Sequence, residues 1–284
     1  MEYAITIPEN HPEREELAKV TKALLDFLPL HSIYLSLNNK GLTPENILTL
    51  ILSDECEIDA MDLKLLVNRL FKNYPQFSYT LFENRVAVEF WEEGNLYLMN
   101  HANGDKLAYI SDASNKTFRL KKIKKAKKLL RNAEKEYLLL NAYADKSYIY
   151  SRWYSQVDNY LQATFHLQQT LKYTFQKVEL LLMGEHYPSQ SLQEQQTYLS
   201  EFYPEFGAFF DKENEEESNL IKMLDTSFRI IRYKNKCKEE FTKEILDLAI
   251  TKTGQISIKA HEIFKECMAR CKMNIKKLKV ENAE

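Results

Sequence analysis

Glycine and proline are scarce, 6 and 7 among 284 residues. Folds made of many short strands draw on these two residue types for their tight turns, so the scarcity excludes a turn-dense all-β architecture and favours long helices. Long apolar runs are missing as well: none approaches the ~18 residues that a membrane span needs. The opening stretch, MEYAITIPENHPEREE, lacks the basic and apolar segments of a secretion signal. The expectation is a soluble, cytoplasmic protein that does not associate with membranes. Cysteines number only 4, which without such a signal predicts reduced thiols rather than a disulfide framework. Cys56 and Cys237 read as small core or surface residues. Cys267 and Cys271 lie four apart on one helix face with His261 before them, but no second ligand pair at zinc spacing exists, so neither a metal nor a cofactor is expected.

What is present is core-forming material and an uneven charge. Hydrophobic residues make up 44% and aromatic residues 12%, enough for two cores in a chain of this length. The net charge of −2 conceals a step: residues 1–112 carry net −9 and residues 113–284 net +7. Such a step marks a change of domain.

In the acidic part, residues 12–28 repeat apolar Leu17, Val20, Leu24 and Leu28 at helical spacing and stop at Pro29. SIYLSL at 32–37 and NILTLIL at 46–52 read as buried strands. A helix over 59–73 places Leu63, Leu66, Val67 and Leu70 inward; FSYTLF at 77–82 alternates as a strand does; residues 85–100 read as a helix around Val88, Trp91 and Leu98, broken near Gly94; KLAYI at 106–110 closes the sheet. Asp59 and Asp62 share a helix face, where acids interact favourably with the helix dipole.

The later part is helical throughout. KTFRLKKIKKAKKLLR at 116–131 carries nine basic residues, with no acid between Asp112 and Glu134, and runs on without Gly or Pro. It predicts one long helix over 119–153, with Tyr137 and Trp153 as core residues. Residues 157–184 follow, with a stripe of Val157, Leu161, Thr164, Leu171, Phe175, Val178 and Leu182, and Gly184 as the stop. Gln168 falls on that stripe where an apolar residue belongs, and His166 points elsewhere. A helix capped by Ser191 comes next, interrupted at Pro204 and Gly207. The acidic DKENEEE precedes a helix with Leu220, Leu224, Ser227 and Ile231 inward, and a last helix runs from Ser257 to about Lys279 after a break at Thr253-Gly254. The fold class is therefore α+β: a small α/β domain followed by an antiparallel helical bundle.

FHLQQTLKYTFQKVELLLMG at 165–184 and IIRYKNKCKEEFTKEILDLA at 230–249 carry a resemblance of residues 155–270 to the HEPN domain, a nucleotide-binding helical module. The order IYLSL, NILTLIL, helix, FSYTLF and the segment ending in KLAYI makes residues 30–112 similar to the minimal nucleotidyltransferase fold that precedes HEPN domains. The resemblance implies a degenerate nucleotidyltransferase-like domain over 1–112, a basic connecting helix over 113–153, and a HEPN-like bundle over 154–284 that pairs as a homodimer.

An active nucleotidyltransferase needs a Gly-Ser turn at the triphosphate and two aspartates on a strand for Mg²⁺. No glycine here precedes Ser, and the strand over 46–52 contains no carboxylate. HEPN ribonucleases pair an arginine with a histidine across four to six intervening residues; from Arg232 those positions hold Cys237, Lys238 and Glu239, and Arg229 fails equally. The reading is thus non-catalytic, a regulatory protein that binds a nucleotide or an RNA phosphate through Gln168, Arg232, Tyr233 and Lys234. Two alternatives stand beside it, a HEPN-type ribonuclease or toxin acting without the usual pair and a purely structural partner-binding protein. Gln168 has the alternative role of fixing helix register, and Arg232 that of capping terminal carbonyls. Lys121, Lys122, Lys124, Lys125, Lys127 and Lys128 form a basic patch, either a nucleic-acid contact or a solvated face that pairs with acidic segments.

Overall fold

A computed structural model describes residues 5–7, 9, 13–37, 46–56, 58, 60–112, 117–120, 122–234 and 240–281. Asp59, Lys121 and Cys237 lie outside them. The architecture is α+β, with a small mixed sheet and an otherwise helical chain. Cα packing divides it into two compact units, Met1–Ala133 with Met268–Glu284, and Glu134–Cys267. Each division falls inside a helix, where no glycine or proline marks it.

In the first unit, α1 (Arg14–Phe27) is followed by β1 (Leu30–Leu37) and β2 (Asn46–Leu52), then α2 (Ala60–Phe71), β3 (Ser78–Glu83), α3 (Asn84–Glu93), α4 (Leu96–His101) and β4 (Leu107–Ile110). The strands lie in the order β3-β2-β1-β4. β1 is antiparallel to both β2 and β4, and β2 is parallel to β3 across the α2 crossover. β2 is buried from Ile47 to Leu52, as expected of a strand covered on both faces. Leu17, Val20 and Leu24 of α1 pack with Leu50, Leu63 and Val67 in one apolar core. Leu66 and Val88, expected inward, are exposed instead: α2 and α3 each bury a single stripe, through Leu63 and Val67 and through Ala87 and Trp91, and these two residues fall beside it.

The second unit begins within α5 (Ile123–Gln156) and continues through α6 (Tyr160–Leu182), α7 (Leu192–Phe202), the single turn α8 (Pro204–Gly207) and α9 (Glu215–Tyr233) into α10 (Lys243–Glu281). Asn159 caps α6 by accepting from the Gln162 N–H at 3.2 Å. Gly184, just past its end, takes φ 79°, the left-handed backbone that glycine enters at no steric cost. Val157 sits before α6, exposed, and is not part of its buried stripe. Trp153 is also exposed rather than core: on α5 the residues facing inward are Tyr137, Ala144 and Ser151, and Trp153 lies on the far side.

The largest departure is α10. A break at Thr253-Gly254 and a start at Ser257 were expected; the helix runs unbroken from Lys243. One interior glycine costs a helix only ~1 kcal/mol relative to alanine. Thr253 stays within it by donating its hydroxyl to the Ala249 carbonyl at 2.7 Å, and Leu246, Ala249, Ile256, Ala260 and Ile263 are buried along one side. That continuous stripe outweighs the local cost.

Candidate functional site

α9 sets the site. Asn214 caps it by accepting from the Glu216 and Glu217 N–H groups, while Leu220, Leu224 and Ser227 turn inward. The opposite side presents Lys222, Asp225, Arg229 and Tyr233, spaced three, four and four apart and so aligned on one face. Against them lies the segment that leads into α7. Together they enclose an open cleft of about 390 Å³ whose lining includes Ser189, Gln190, Lys222, Phe228, Arg229 and Tyr233.

Asp225 builds one wall. Its carboxylate accepts from the Ser191 hydroxyl at 2.6 Å, the Leu192 N–H at 2.8 Å and the Gln193 N–H at 3.4 Å. These are the first groups of α7, so the chain supplies its own anion to that helix N-terminus. Burial pushes the Asp225 carboxyl above its usual range, and the three donors and Arg229 pull it back. We expect Asp225→Ala to leave three donors without this acceptor and to lower the stability of the helical unit by about 2 kcal/mol; an unchanged urea midpoint would show that the wall stands without it.

Gln168 is fully buried, and its placement answers why a polar residue sits on an apolar stripe. Its Nε2 donates to the Gln190 carbonyl at 2.9 Å, and its Oε1 accepts from Gln169 at 2.5 Å. It thus holds in place the backbone of a residue that lines the cleft. Lys172, one turn along α6, donates to Gln190 Oε1 at 2.6 Å. Its ammonium is destabilised first by burial and then by the charge of Arg232, which places Arg232 in the same electrostatic neighbourhood. Arg232 itself is exposed in the last turn of α9, and Lys234 caps that helix in the left-handed region at φ 54°. Tyr233 lines the cleft directly, its ring edge-on to Phe228 at 5.9 Å. His166 points away toward α5, stacked on Tyr154 at 5.3 Å.

Four of the residues that shape the cleft, Lys222, Asp225, Phe228 and Arg229, were not singled out as ligand-binding from the sequence. Their three-and-four spacing on α9 was available as a signal, but it looks like the solvated face of any amphipathic helix until a second segment is placed across from it.

The basic run has a different setting. Lys122, Lys124, Lys125, Lys127 and Lys128 are exposed around α5, while Ala126, Leu129 and Ala133 turn inward. In the same unit a buried polar cluster gathers at the end of β1. His101 Nδ1 and Ser36 Oγ lie 2.9 Å apart, Lys106 Nζ donates to Ser36 Oγ at 3.2 Å and also to the Asn100 carbonyl, and the Cys271 thiol donates to Asn100 Oδ1 at 3.1 Å. Burial holds His101 well below its usual value. Ser36, His101 and Cys271 are closed to solvent, so the cluster acts as a polar tie between elements. Among the described residues no three His, Cys, Asp or Glu side chains converge as a metal site, and no helix is long and apolar enough to cross a membrane. No family model matches this sequence, and no curated protein matches it.

Proposed function

We propose that the helical unit is a non-catalytic, HEPN-type module that binds a nucleotide or an RNA phosphate, with the cleft beside α9 as its site. The observation that carries this reading is the pairing of two cations, Lys222 and Arg229, with two aromatic rings, Phe228 and Tyr233, on the lining of one cleft. Cations answer the phosphate, and Tyr233, exposed and backed edge-on by the buried Phe228, offers a ring face on which a base stacks. Arg232 and Lys172 add positive field from the side. Gln168 serves the site indirectly by fixing Gln190.

The non-catalytic part of the proposal rests on side-chain chemistry. The cleft lining includes no histidine among the described residues, the residue type that the usual pair needs to move a 2′-hydroxyl proton near neutral pH. In the sheet, the strand of a nucleotidyltransferase-like domain that would present metal-binding carboxylates presents Ile47, Thr49 and Ile51, and the Thr49 hydroxyl meets the buried Tyr97 hydroxyl at 2.8 Å. This supports a degenerate first domain.

Titration calorimetry with ATP, GTP and a short single-stranded RNA at low salt tests the proposal. Binding is expected for at least one of the three and should weaken with added salt. Arg229→Ala should weaken it about tenfold and Tyr233→Ala several-fold. No heat with any of the three ligands, or affinity indifferent to both substitutions, would end this reading.

A further inference from the structure

α5 begins with a charge arrangement that works against its own helix. Lys124 and Lys125 stand in its first turn, which holds no acid, and cations there oppose the helix dipole. Lys124 with Lys128, and Lys127 with Arg131, lie four residues apart, so like charges one turn away repel each other. At ~100° per residue Lys124, Lys127, Lys128 and Arg131 fall on the side opposite the buried Ala126, Leu129 and Ala133. All four are exposed. Among the described residues none of the four stands in an ion pair, although the strongly acidic residues 1–112 had carboxylates to offer. A solvated face that served only stability would alternate its signs. Two further segments of the same unit bring cations to where α5 starts. The Leu120 N–H donates to Asn103 Oδ1 at 3.3 Å, which ties the approach to α5 to the turn over 103–106. The exposed Arg119 lies over that turn, with its Nε 2.6 Å from where a Cβ on Gly104 would stand. Lys106 ends the turn. Burial lowers its pKa first; Asp105 and Cys271 then raise it, and Arg270 and Lys277 of α10 lower it, so those two cations share its surroundings. Neither 117–133 nor 268–277 contains an acid.

We infer that this surface of the first unit binds the phosphate backbone of a double-stranded nucleic acid, with residues 124–131 of α5 laid against it. A double helix carries one charge per ~1.7 Å of its axis, dense enough to meet cations set one helical turn apart and to relieve their repulsion. What accompanies the cations selects the ligand. Proteins that hold single strands interleave cations with exposed rings on which bases stack, and residues 119–136 contain no aromatic residue. The outward stripe is three lysines and one arginine, point charges suited to phosphates more than to base edges, so the contact is indifferent to sequence. An anionic membrane would call for an apolar helix face free to enter it, whereas the apolar face of this segment is buried within the unit. The inference does not depend on the ligand proposed for the cleft beside α9.

Fluorescence anisotropy with labelled DNA and RNA duplexes of about 20 base pairs tests it, using the full chain with Arg229→Ala and Tyr233→Ala so that the α9 cleft does not contribute. At least one duplex should bind with a dissociation constant of about 1 μM near 50 mM salt, and affinity should fall as roughly the fourth power of salt concentration; comparing the two duplexes tells DNA from RNA. The separated strand should bind at least ~5-fold more weakly. Lys124→Gln with Lys128→Gln and Arg131→Gln should weaken duplex binding at least ~30-fold and lower the salt exponent by about three, with circular dichroism unchanged because all three side chains are exposed. Removing three other exposed cations of the same unit, by Lys22→Gln, Arg69→Gln and Lys72→Gln, should cost less than ~3-fold. Failure to bind either duplex, equal binding of the single strand, or equal losses in the two triple variants would each overturn the inference, as would capture by phosphatidylserine vesicles in place of the duplex. With Arg229 and Tyr233 intact, the Lys124, Lys128 and Arg131 variant should titrate with ATP and GTP as the wild type does, so the surface and the cleft read separately.

Discussion

Replacing Glu179 with glutamine should make the helical unit more stable at pH 8 by about 3 kcal/mol while changing little at pH 4.5. Glu179 lies on α6 with no exposed side-chain surface. Its Oε2 accepts from the Tyr187 N–H at 3.0 Å, and its Oε1 meets no hydrogen-bonding partner among the described residues. Burial without a matching cation pushes its pKa from the ordinary 4.5 up to about 8, against the opposing pull of that single N–H. His186 approaches to 3.8 Å, too far for a hydrogen bond, and its own burial favours the neutral ring. A carboxyl whose folded pKa exceeds its unfolded one binds its proton more tightly in the fold. Stability is therefore lost as pH rises from 4.5, and the loss is complete above 8. At ~1.4 kcal/mol per pH unit the full window has a ceiling of about 5 kcal/mol, which structural relaxation and water entry reduce. Glutamine keeps the acceptor for Tyr187 and removes the charge.

Lys177, two residues earlier, works in the opposite direction. It is buried, donates to Asn141 Oδ1 at 2.9 Å and stands 5.3 Å from the Tyr137 ring. Burial lowers its pKa from 10.5 to about 8. A base with a depressed folded pKa carries its full cost below the folded value and sheds it as pH climbs to 10.5. The two residues together predict a stability minimum near pH 8. Urea denaturation from pH 4.5 to 10 should show that minimum in the wild type, no fall from 4.5 to 8 in Glu179→Gln, and no rise above 8 in Lys177→Met. A wild-type profile flat across this range would refute the assignment.

The expected pairs of element and sequence run show what periodicity carries. IYLSL and NILTLIL became the antiparallel centre of the sheet because short runs rich in Ile and Leu with few polar positions suit strands covered on both faces. Gly94 was legible as a break from the glycine itself, and α3 ends there with Gly94 in the left-handed region. Gly254 was not a break, since the stripe on either side of it is in phase: Ala249, Ile256 and Ala260 continue one face. The signal that decides is phase, which a lone glycine does not report. Trp153 failed for another reason. An apolar period establishes that a face wants covering, but not which neighbour covers it, and on α5 two faces satisfy the pattern. Gln168 was legible as a misfit. Its purpose was not, because the partner that explains it is a backbone carbonyl in a turn 22 residues away, and carbonyls leave no trace in a sequence. The Lys222-Asp225-Arg229-Tyr233 face was hidden similarly, since a cleft needs two walls and the second comes from the segment before α7.

The same two glycines yield the strongest test of the fold, because alanine at each should act with opposite sign. Gly94 ends α3 at φ 97°, donating to the carbonyls of Phe90 at 3.1 Å and Trp91 at 3.2 Å, while Asn95 donates to Phe90 at 2.9 Å. Asn95 then caps α4 by accepting from the Leu98 N–H at 3.1 Å, so the turn joins two helices with no residue to spare. A Cβ on Gly94 would stand 2.3 Å from the Leu129 carbonyl oxygen and 2.9 Å from its carbon. Both atoms belong to helical backbone and cannot rotate aside as a side chain would. Left-handed backbone costs an alanine ~1 kcal/mol, and relieving the contact requires moving α5 off its inner face, where Ala126 and Leu129 are buried. Gly94→Ala should therefore destabilise the first unit by about 4 kcal/mol. At Gly254 a Cβ meets nothing within 4 Å and the backbone is helical, so Gly254→Ala should stabilise by about 1 kcal/mol. Thermal and urea denaturation of the two variants side by side decide the matter. A Gly94→Ala protein within 1 kcal/mol of wild type would mean that α3 and α5 do not approach as closely as this fold requires.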